Sequence, residues 1–419
     1  MTARPVRTAL QRCVGDPGQF VVGSLGAAPH RWHDASGFDD LLSLADVDAQ
    51  LSGGGLRRPS VRLARDGDIL ASSSFTRRVR TGSVWIGDLI DPGRTLAQFA
   101  DGATIVLQSL QRWWPPLAGF CRQLEDELGH PVQANAYLTP DGAAGFAPHH
   151  DTHDVFVLQV HGTKHWTVRA PLVESPTERH RSDHGAAAEQ PVLFDVDLIP
   201  GDCLYLPRGF IHSATAQDGA TLHVTIGVLS VTRHDLLRRL LDRAADEPTL
   251  RAALPVGYAS DPEAAASVVE EAIADLVSWL EDLDVTQFAE DLVDREALRR
   301  RPPVEGQLLE LTTLDAIDDT TEVSVRAGLG WRLGPAPADA DRVVLRLADR
   351  RVDLPAAVAP ALALLLDGEP HTVRELDHLL DRSGRSVLVR RLVREGVLRR
   401  TGPATPAPHH HPESDPHGP

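Results

Sequence analysis

Lysine is almost absent from this chain. One stands at position 164 among 419 residues, although Lys and Arg together number 42. Arginine therefore serves wherever either cation will do, and position 164 is marked as one that needs a compact ammonium rather than a planar fork. Cysteine is scarce as well: Cys13, Cys121 and Cys203 are far apart, odd in number and without a CxxC pair. That pattern excludes a disulfide framework and suits a reducing cytoplasm. Long apolar runs are missing, since the longest, 355–366, is too short for a bilayer and is interrupted by Pro360. The first nineteen residues hold no apolar h-region, so no secretory signal is expected and the chain reads as soluble and cytoplasmic. Positive charge is in deficit, 42 Lys and Arg against 59 Asp and Glu, a net −17. Such an acidic balance disfavours general nucleic-acid binding and favours basic partners.

What is present falls into blocks, and the length argues for two or three domains. Residues 1–134 mix strand-like runs at 20–22, 60–63 and 84–86 with turn signals, and helices are expected near 37–44, 95–100 and 116–128. From 133 the pattern is densely β, with strands predicted over 133–138, 149–160, 165–170, 192–198, 202–206 and 221–229. Six closely spaced strands without long helices between them suggest an antiparallel sandwich or barrel. In the last of them Leu222, Val224 and Ile226 alternate with Thr221, His223 and Thr225, one apolar face and one polar face fit to line a wet interior. From 232 the composition turns helical, with stripes at Leu236, Leu237, Leu240 and Leu241, then at Val268, Val269, Ile273, Leu276, Val277 and Leu280. Past a linker at 299–303, strands at 343–347 and 351–354, helices at 357–366, 373–380 and 386–395, and a strand from 397 follow the order of a winged helix. The tail 401–419, with six prolines and His409-His410-His411, is expected to be disordered.

The chemistry concentrates between Asn135 and Trp166. On a strand, residues two apart point the same way, so His149 and Asp151 would offer an imidazole and a carboxylate to one face. A third ligand can come from His212, delivered about sixty residues later by a Pro-Gly-Asp turn, a short apolar strand and a Pro-containing bend. His223, on the polar face of its strand, is the alternative third ligand or a group that backs the others. Two histidines and one carboxylate leave three positions open on a metal, the arrangement of non-haem iron(II) oxygenases. A 2-oxoacid fills two of them and dioxygen the third. The far carboxylate of 2-oxoglutarate then needs a cation and a hydroxyl donor, for which Lys164 and Tyr137 are of the right type. Asn135 and Thr221 complete the candidate set as supporting groups.

The run Pro148-His149-His150-Asp151, the segment 154–159, Gly162-Thr163-Lys164-His165-Trp166 and the segment 200–212 resemble the JmjC-domain ribosomal oxygenases, also called bacterial cupin-4 proteins. The resemblance implies an α+β chain. A double-stranded β-helix oxygenase domain (a cupin or JmjC jelly roll) would occupy 1–230, a helical dimerisation segment 231–300 and a winged-helix domain 301–400. It implies iron(II) on His149, Asp151 and His212, 2-oxoglutarate on Lys164 and Tyr137, a homodimer, and hydroxylation of an arginine or histidine side chain of a ribosomal protein. Bacterial members acting on arginine carry Arg where this chain has Lys164, so the lysine resembles the histidine-hydroxylating branch. Three other readings compete: an oxygenase of a small molecule or peptide natural product, a DNA-binding regulator with Arg390, Arg391 and Arg394 on its reading helix, and a metal-binding cupin without activity, in which Lys164 would have no purpose.

Overall fold

The computed structural model describes residues 7–65, 67–143, 147–180, 184–299, 302–336 and 339–401. The tail beyond 401 and the middle of the 299–303 linker thus lie outside the described residues. By its internal contacts the chain divides into two units, Met1–Asp242 and Arg243–Pro419.

The first unit contains strands β1 (His30–His33), β2 (Val61–Arg65), β3 (Asp68–Ile69), β4 (Thr76–Thr81), β5 (Val84–Ile90), β6 (Thr104–Leu107), β7 (Val132–Thr139), β8 (Asp154–Arg169), β9 (Val192–Leu198), β10 (Asp202–Leu206) and β11 (Ile211–Val228). Helices α1 (Ala9–Val14), α2 (Pro17–Gly23), α3 (Leu44–Ser52), α4 (Pro92–Ala100), α5 (Pro115–Leu128), α6 (His184–Glu189) and α7 (Arg233–Ala244) accompany them. Nine of the strands form one antiparallel sheet, ordered β1-β10-β8-β11-β7-β6-β2-β3, with β9 pairing β8. The 16-residue β8 and 18-residue β11 are its axis. They pair along their whole lengths, but β11 carries extra residues between Gln217 and Leu222, so each strand works as two halves. Gly162 faces that bulge at φ 67°, and a Cβ there would meet the Ala220 carbonyl oxygen at 2.5 Å. Only glycine tolerates both demands.

The first half of β8 is buried on both sides. Phe156 and Leu158 enter a core shared with helices α1 and α5, whereas Val155 and Val157 pack with Trp166, Leu198 and Leu204. Leu222, Val224 and Ile226 of β11 are completely buried in the first of these cores, as their alternation foretold. Each such side chain contributes about 1.5–3 kcal/mol of burial free energy.

Several expectations are corrected. Residues 20–22 are helical: Asp16 caps α2 and Pro17 opens it, and these start signals outweigh the β propensity of two valines. Residues 37–44 are turns; the helix begins at Leu44, where Ser43 and Asp46 form a capping box. The runs at 149–160 and 165–170 are one strand, and it starts only at Asp154. The run at 221–229 is the second half of β11.

The second unit opens with two amphipathic helices, α8 (Pro262–Glu281), capped by Asp261, and α9 (Val285–Arg299). After α10 (Gln307–Thr312) come β12 (Glu322–Val325), β13 (Trp331–Ala336), β14 (Asp339–Leu347), β15 (Arg351–Pro355), α11 (Ala359–Leu365), β16 (His371–Thr372), α12 (Arg382–Arg394) and β17 (Leu398–Arg400). They make two three-stranded sheets, β13-β14-β15 and β16-β12-β17, around a core that includes Leu345, Leu362, Val389 and Leu392. The capping box of Thr372 and Glu375 is present, but it heads a short 3-10 turn at Val373–Leu376 rather than a helix to 380. Among the described residues no helix is long and apolar enough to cross a membrane.

Candidate metal centre

His149 and His212 are brought side by side by their own backbones. The two residues form an isolated antiparallel bridge, with amide-to-carbonyl distances of 3.2 and 2.9 Å. The Gly209 N–H donates to the Asp151 carbonyl at 3.0 Å and pins the intervening turn. Gly209 sits at φ 89° with the Val173 carbonyl oxygen 2.7 Å from where a Cβ would be. The strand parity used above to pair His149 with Asp151 therefore does not apply, because neither lies in a regular strand. The bridge and the pinned turn do that work instead.

One ligand atom from each of His149, Asp151 and His212 lies within 4.8 Å of the other two. His212 Nε2 is 3.7 Å from Asp151 Oδ2. His149 Nδ1 donates to the Ala147 carbonyl at 2.8 Å and His212 Nδ1 to the Phe210 carbonyl at 3.1 Å. Each imidazole is thereby fixed in the tautomer that leaves an Nε2 lone pair for a cation. Burial pushes the His212 pKa down to about 4, with nearby His149 adding to the effect, so the ring is neutral near pH 7. Burial works against charge on Asp151, yet the imidazoles of His212, His153, His149 and His150 outweigh it and hold the carboxyl below its ordinary range. Two imidazoles and one carboxylate on one side of a cavity are a donor set suited to a divalent transition metal.

The cavity measures about 740 Å³ and is walled by β2, β6, β7, β8 and β11. The β7–β11 register places Asn135 opposite Thr225, Tyr137 opposite His223 and Thr139 opposite Thr221. Tyr137 and His223 stack at 4.9 Å with rings 5° from parallel, and Trp166 meets His223 edge-on at 5.5 Å. Burial, followed by the charge of Lys164, drives the His223 pKa well below its ordinary value. Burial raises the Tyr137 pKa, although Arg62 and Thr225 both hydrogen-bond its hydroxyl.

Lys164 is 3% exposed, and its ammonium donates to Thr139 Oγ1 at 3.1 Å. Among the described residues no carboxylate reaches it within ion-pair distance. Desolvation lowers its pKa to about 7. A buried amine without a counter-charge is unfavourable by itself and points to an anion that arrives with a ligand.

The structure thus brings His149, Asp151 and His212 together and places Tyr137, Lys164, Asn135 and His223 in the same cavity. His223, the alternative third ligand, stacks on Tyr137 and is outside the ligand cluster. Asn135 Oδ1 accepts from the Ser109 amide at 3.0 Å. Thr221 is fully buried and does not line the cavity. Sequence reasoning missed Arg62, Thr104, Thr139 and Trp166. Thr139 shares the strand parity of Asn135 and Tyr137 and could have been found that way. Arg62 lies in the strand-like run expected at 60–63, but nothing in that run points to the site.

Residues 110–236 match the JmjC domain. The chain is 31% identical to the bifunctional lysine-specific demethylase and histidyl-hydroxylase NO66 of Dictyostelium discoideum over 61% of this chain and 52% of that one. It is 35% identical to ribosomal oxygenase 1 of Gallus gallus over 50% of this chain and 34% of that one. The chain spans about half, or less, of the length of these curated relatives. Among solved structures, the Escherichia coli ribosomal oxygenase YcfD superposes with a TM-score of 0.51 at 19% identity, covering 92% of this chain and 98% of that one. That likeness is one of fold, of the JmjC and cupin type with antiparallel sheets and helices.

Proposed function

We propose that this chain, which carries a JmjC domain over residues 110–236, is an iron(II)- and 2-oxoglutarate-dependent oxygenase that hydroxylates a side chain of a ribosomal protein. The observation that carries the reading is the pairing, in one cavity, of a two-histidine, one-carboxylate cluster with a buried ammonium that has no counter-charge among the described residues. His149 Nε2, Asp151 and His212 Nε2 would hold iron(II), which when bound supplies dioxygen activation coupled to oxidative decarboxylation of 2-oxoglutarate.

The protein's own residues bind and orient. Lys164 takes the far carboxylate of the cosubstrate as a charge-assisted pair, and Thr139 aims the ammonium. Tyr137 supports the same end through its hydroxyl, steadied by Arg62 and stacked on His223. Val155, Val157 and Trp166 keep that part of the cavity dry, which strengthens every electrostatic contact inside it. Among the described residues that line the cavity Asp151 is the sole carboxylate, and Arg62 and Lys164 bring positive charge to it. A neutral imidazole suits such a pocket better than a guanidinium, so histidine is the target residue we favour. The names of the relatives above, histidyl-hydroxylase and ribosomal oxygenase, point the same way.

The remaining parts of the reading are a helical dimerisation segment at 231–300 and a winged-helix docking module at 301–400. Val269, Ile273 and Val277 of α8 are 47–56% exposed, an apolar face suited to a second copy of the chain. Sheet β16-β12-β17 beside α12 suits the winged helix. Three free cysteines, all buried, suit a cytoplasmic protein.

The test is anaerobic loading with iron(II) and 2-oxoglutarate, then oxygen, with ribosomal-protein peptides bearing a central histidine or arginine. Succinate formed in step with a one-oxygen mass gain on the histidine peptide is expected. Absence of peptide-stimulated succinate across a full set of ribosomal proteins would overturn the proposal.

A further inference from the structure

The net charge of −17 conceals one strongly basic element. Residues 57–94 hold eight arginines against four aspartates, a local +4. Five of those arginines, Arg57, Arg58, Arg77, Arg78 and Arg80, are exposed on or beside the two-stranded ribbon of β4 and β5. Among the described residues none of the five is ion-paired to a carboxylate. Most of their positive charge therefore faces solvent.

The ribbon arranges this charge around an aromatic ring. Arg80 is directly opposite Trp85 in the register, and residues two apart on a strand share a face, so Arg78, Arg80 and Trp85 stand together. The Arg78 guanidinium lies 5.1 Å from the centre of the Trp85 ring. The indole is 57% exposed and its neighbour Val84 63% exposed, so part of the ring is open to a ligand. On the far edge of β5, Arg57 bridges Leu89 and donates to the Gly87 carbonyl at 3.2 Å, which fixes the second arginine pair along the same ribbon.

We propose that the β4–β5 ribbon is a binding surface for single-stranded nucleic acid. Guanidinium groups spaced along a strand take successive phosphates, and an exposed indole flanked by arginine offers a platform for an unpaired base. A duplex fits less well, because its bases are already stacked on one another and cannot reach the ring. The proposal does not depend on the oxygenase reading, and none of these residues is in the candidate metal centre.

The experiment measures fluorescence anisotropy of labelled oligouridylate and oligothymidylate, each about fifteen nucleotides long, with the full chain. With about four phosphates neutralised, affinity should fall about twentyfold between roughly 50 and 150 mM KCl. The combined variant Arg77→Glu, Arg78→Glu, Arg80→Glu should bind at least about tenfold more weakly and lose most of the salt dependence. Trp85→Ala should weaken binding at least about fivefold with the salt dependence intact. Equal affinity for both oligonucleotides supports a surface that reads backbone and base stacking, and tighter oligouridylate supports RNA as its ligand. Far-UV dichroism and the urea-unfolding midpoint, unchanged in both variants, exclude misfolding. No binding by the wild-type chain in low salt overturns the proposal, as does wild-type affinity in the charge-reversed variant. Displacement of the oligonucleotide by polyglutamate at equal charge, with Trp85→Ala silent, also overturns it and assigns the surface to acidic polypeptides.

Discussion

Replacing Lys164 by Met should make the ligand-free protein more stable, and by an amount that depends on pH in a defined way. The lysine's pKa falls from an unfolded value of 10.5 to about 7 in the folded chain because burial disfavours the ammonium. That drop of about 3.5 units, at 1.36 kcal/mol each, corresponds to about 5 kcal/mol. The sign follows from proton binding. Between pH 7 and 10.5 the unfolded chain holds a proton here that the folded chain has released, so folded stability rises with pH across that window. Below pH 7 both states are protonated and the full penalty is present; above 10.5 both are neutral and it vanishes. Methionine has the same length and no charge, and loses only the hydrogen bond to Thr139, about 1 kcal/mol. The variant should thus exceed the wild type by about 4 kcal/mol at pH 7 or below, with the gap shrinking toward zero by about pH 10. Urea unfolding of metal-free protein at a series of pH values, followed by tryptophan fluorescence, measures this directly, since Trp113, Trp114 and Trp166 all lie in the first unit. Tyrosines and cysteines titrate in both proteins and cancel in the difference. Parallel stability curves for the two proteins would refute the reasoning, because they would mean that the amine pays no desolvation penalty and has no vacancy to fill.

Three further outcomes are expected. His149→Ala should reduce manganese(II) affinity in titration calorimetry by about 100-fold or more, as loss of a ligand must exceed the effect of losing its outer partner, with far-UV dichroism unchanged. Thr139→Val removes the hydroxyl that aims Lys164; it should weaken 2-oxoglutarate binding about three- to tenfold and leave manganese(II) affinity as it was, because a single hydrogen bond is at stake. Gly162→Ala places a Cβ 2.5 Å from the Ala220 carbonyl in a left-handed conformation, and should lower the unfolding free energy by about 3 kcal/mol or more in urea titration.

How much of this was legible in the sequence varies along the chain for physical reasons. The convergence of His149, Asp151 and His212 is legible because each sits in a short local pattern. The mechanism inferred for it was nevertheless wrong: backbone pairing between residues 149 and 212, far apart in sequence, replaces strand parity. Lys164 stands out through the rarity of its residue type alone. The alternation of β11 predicts which side chains meet the core. In the first 134 residues the signal is uneven: the expected helices at 95–100 and 116–128 lie within α4 and α5, and the runs at 60–63 and 84–86 overlap β2 and β5, but other elements are hidden. Strand β6 is buried on both sides and reads as a featureless apolar run, α2 carries β-prone valines inside a helix set by its cap, and Arg62 enters the cavity from an expected strand in which nothing local marks it as a site residue. The charge total is silent on local distribution, since a sum over the whole chain hides the sign of any one surface.

Under the proposed function, the anchor Lys164 and one ligand, His212, sit on the same pair of strands, which has a consequence for selectivity. His212 opens β11 and Lys164 lies opposite Ala216 of that strand, so the gap between them is set by backbone geometry and hardly by side-chain adjustment. The two strands behave as a fixed caliper. A diacid with one methylene fewer would fall short of the jaws, one with a methylene more would have to buckle, and the chain would measure its cosubstrate by length before any chemistry begins.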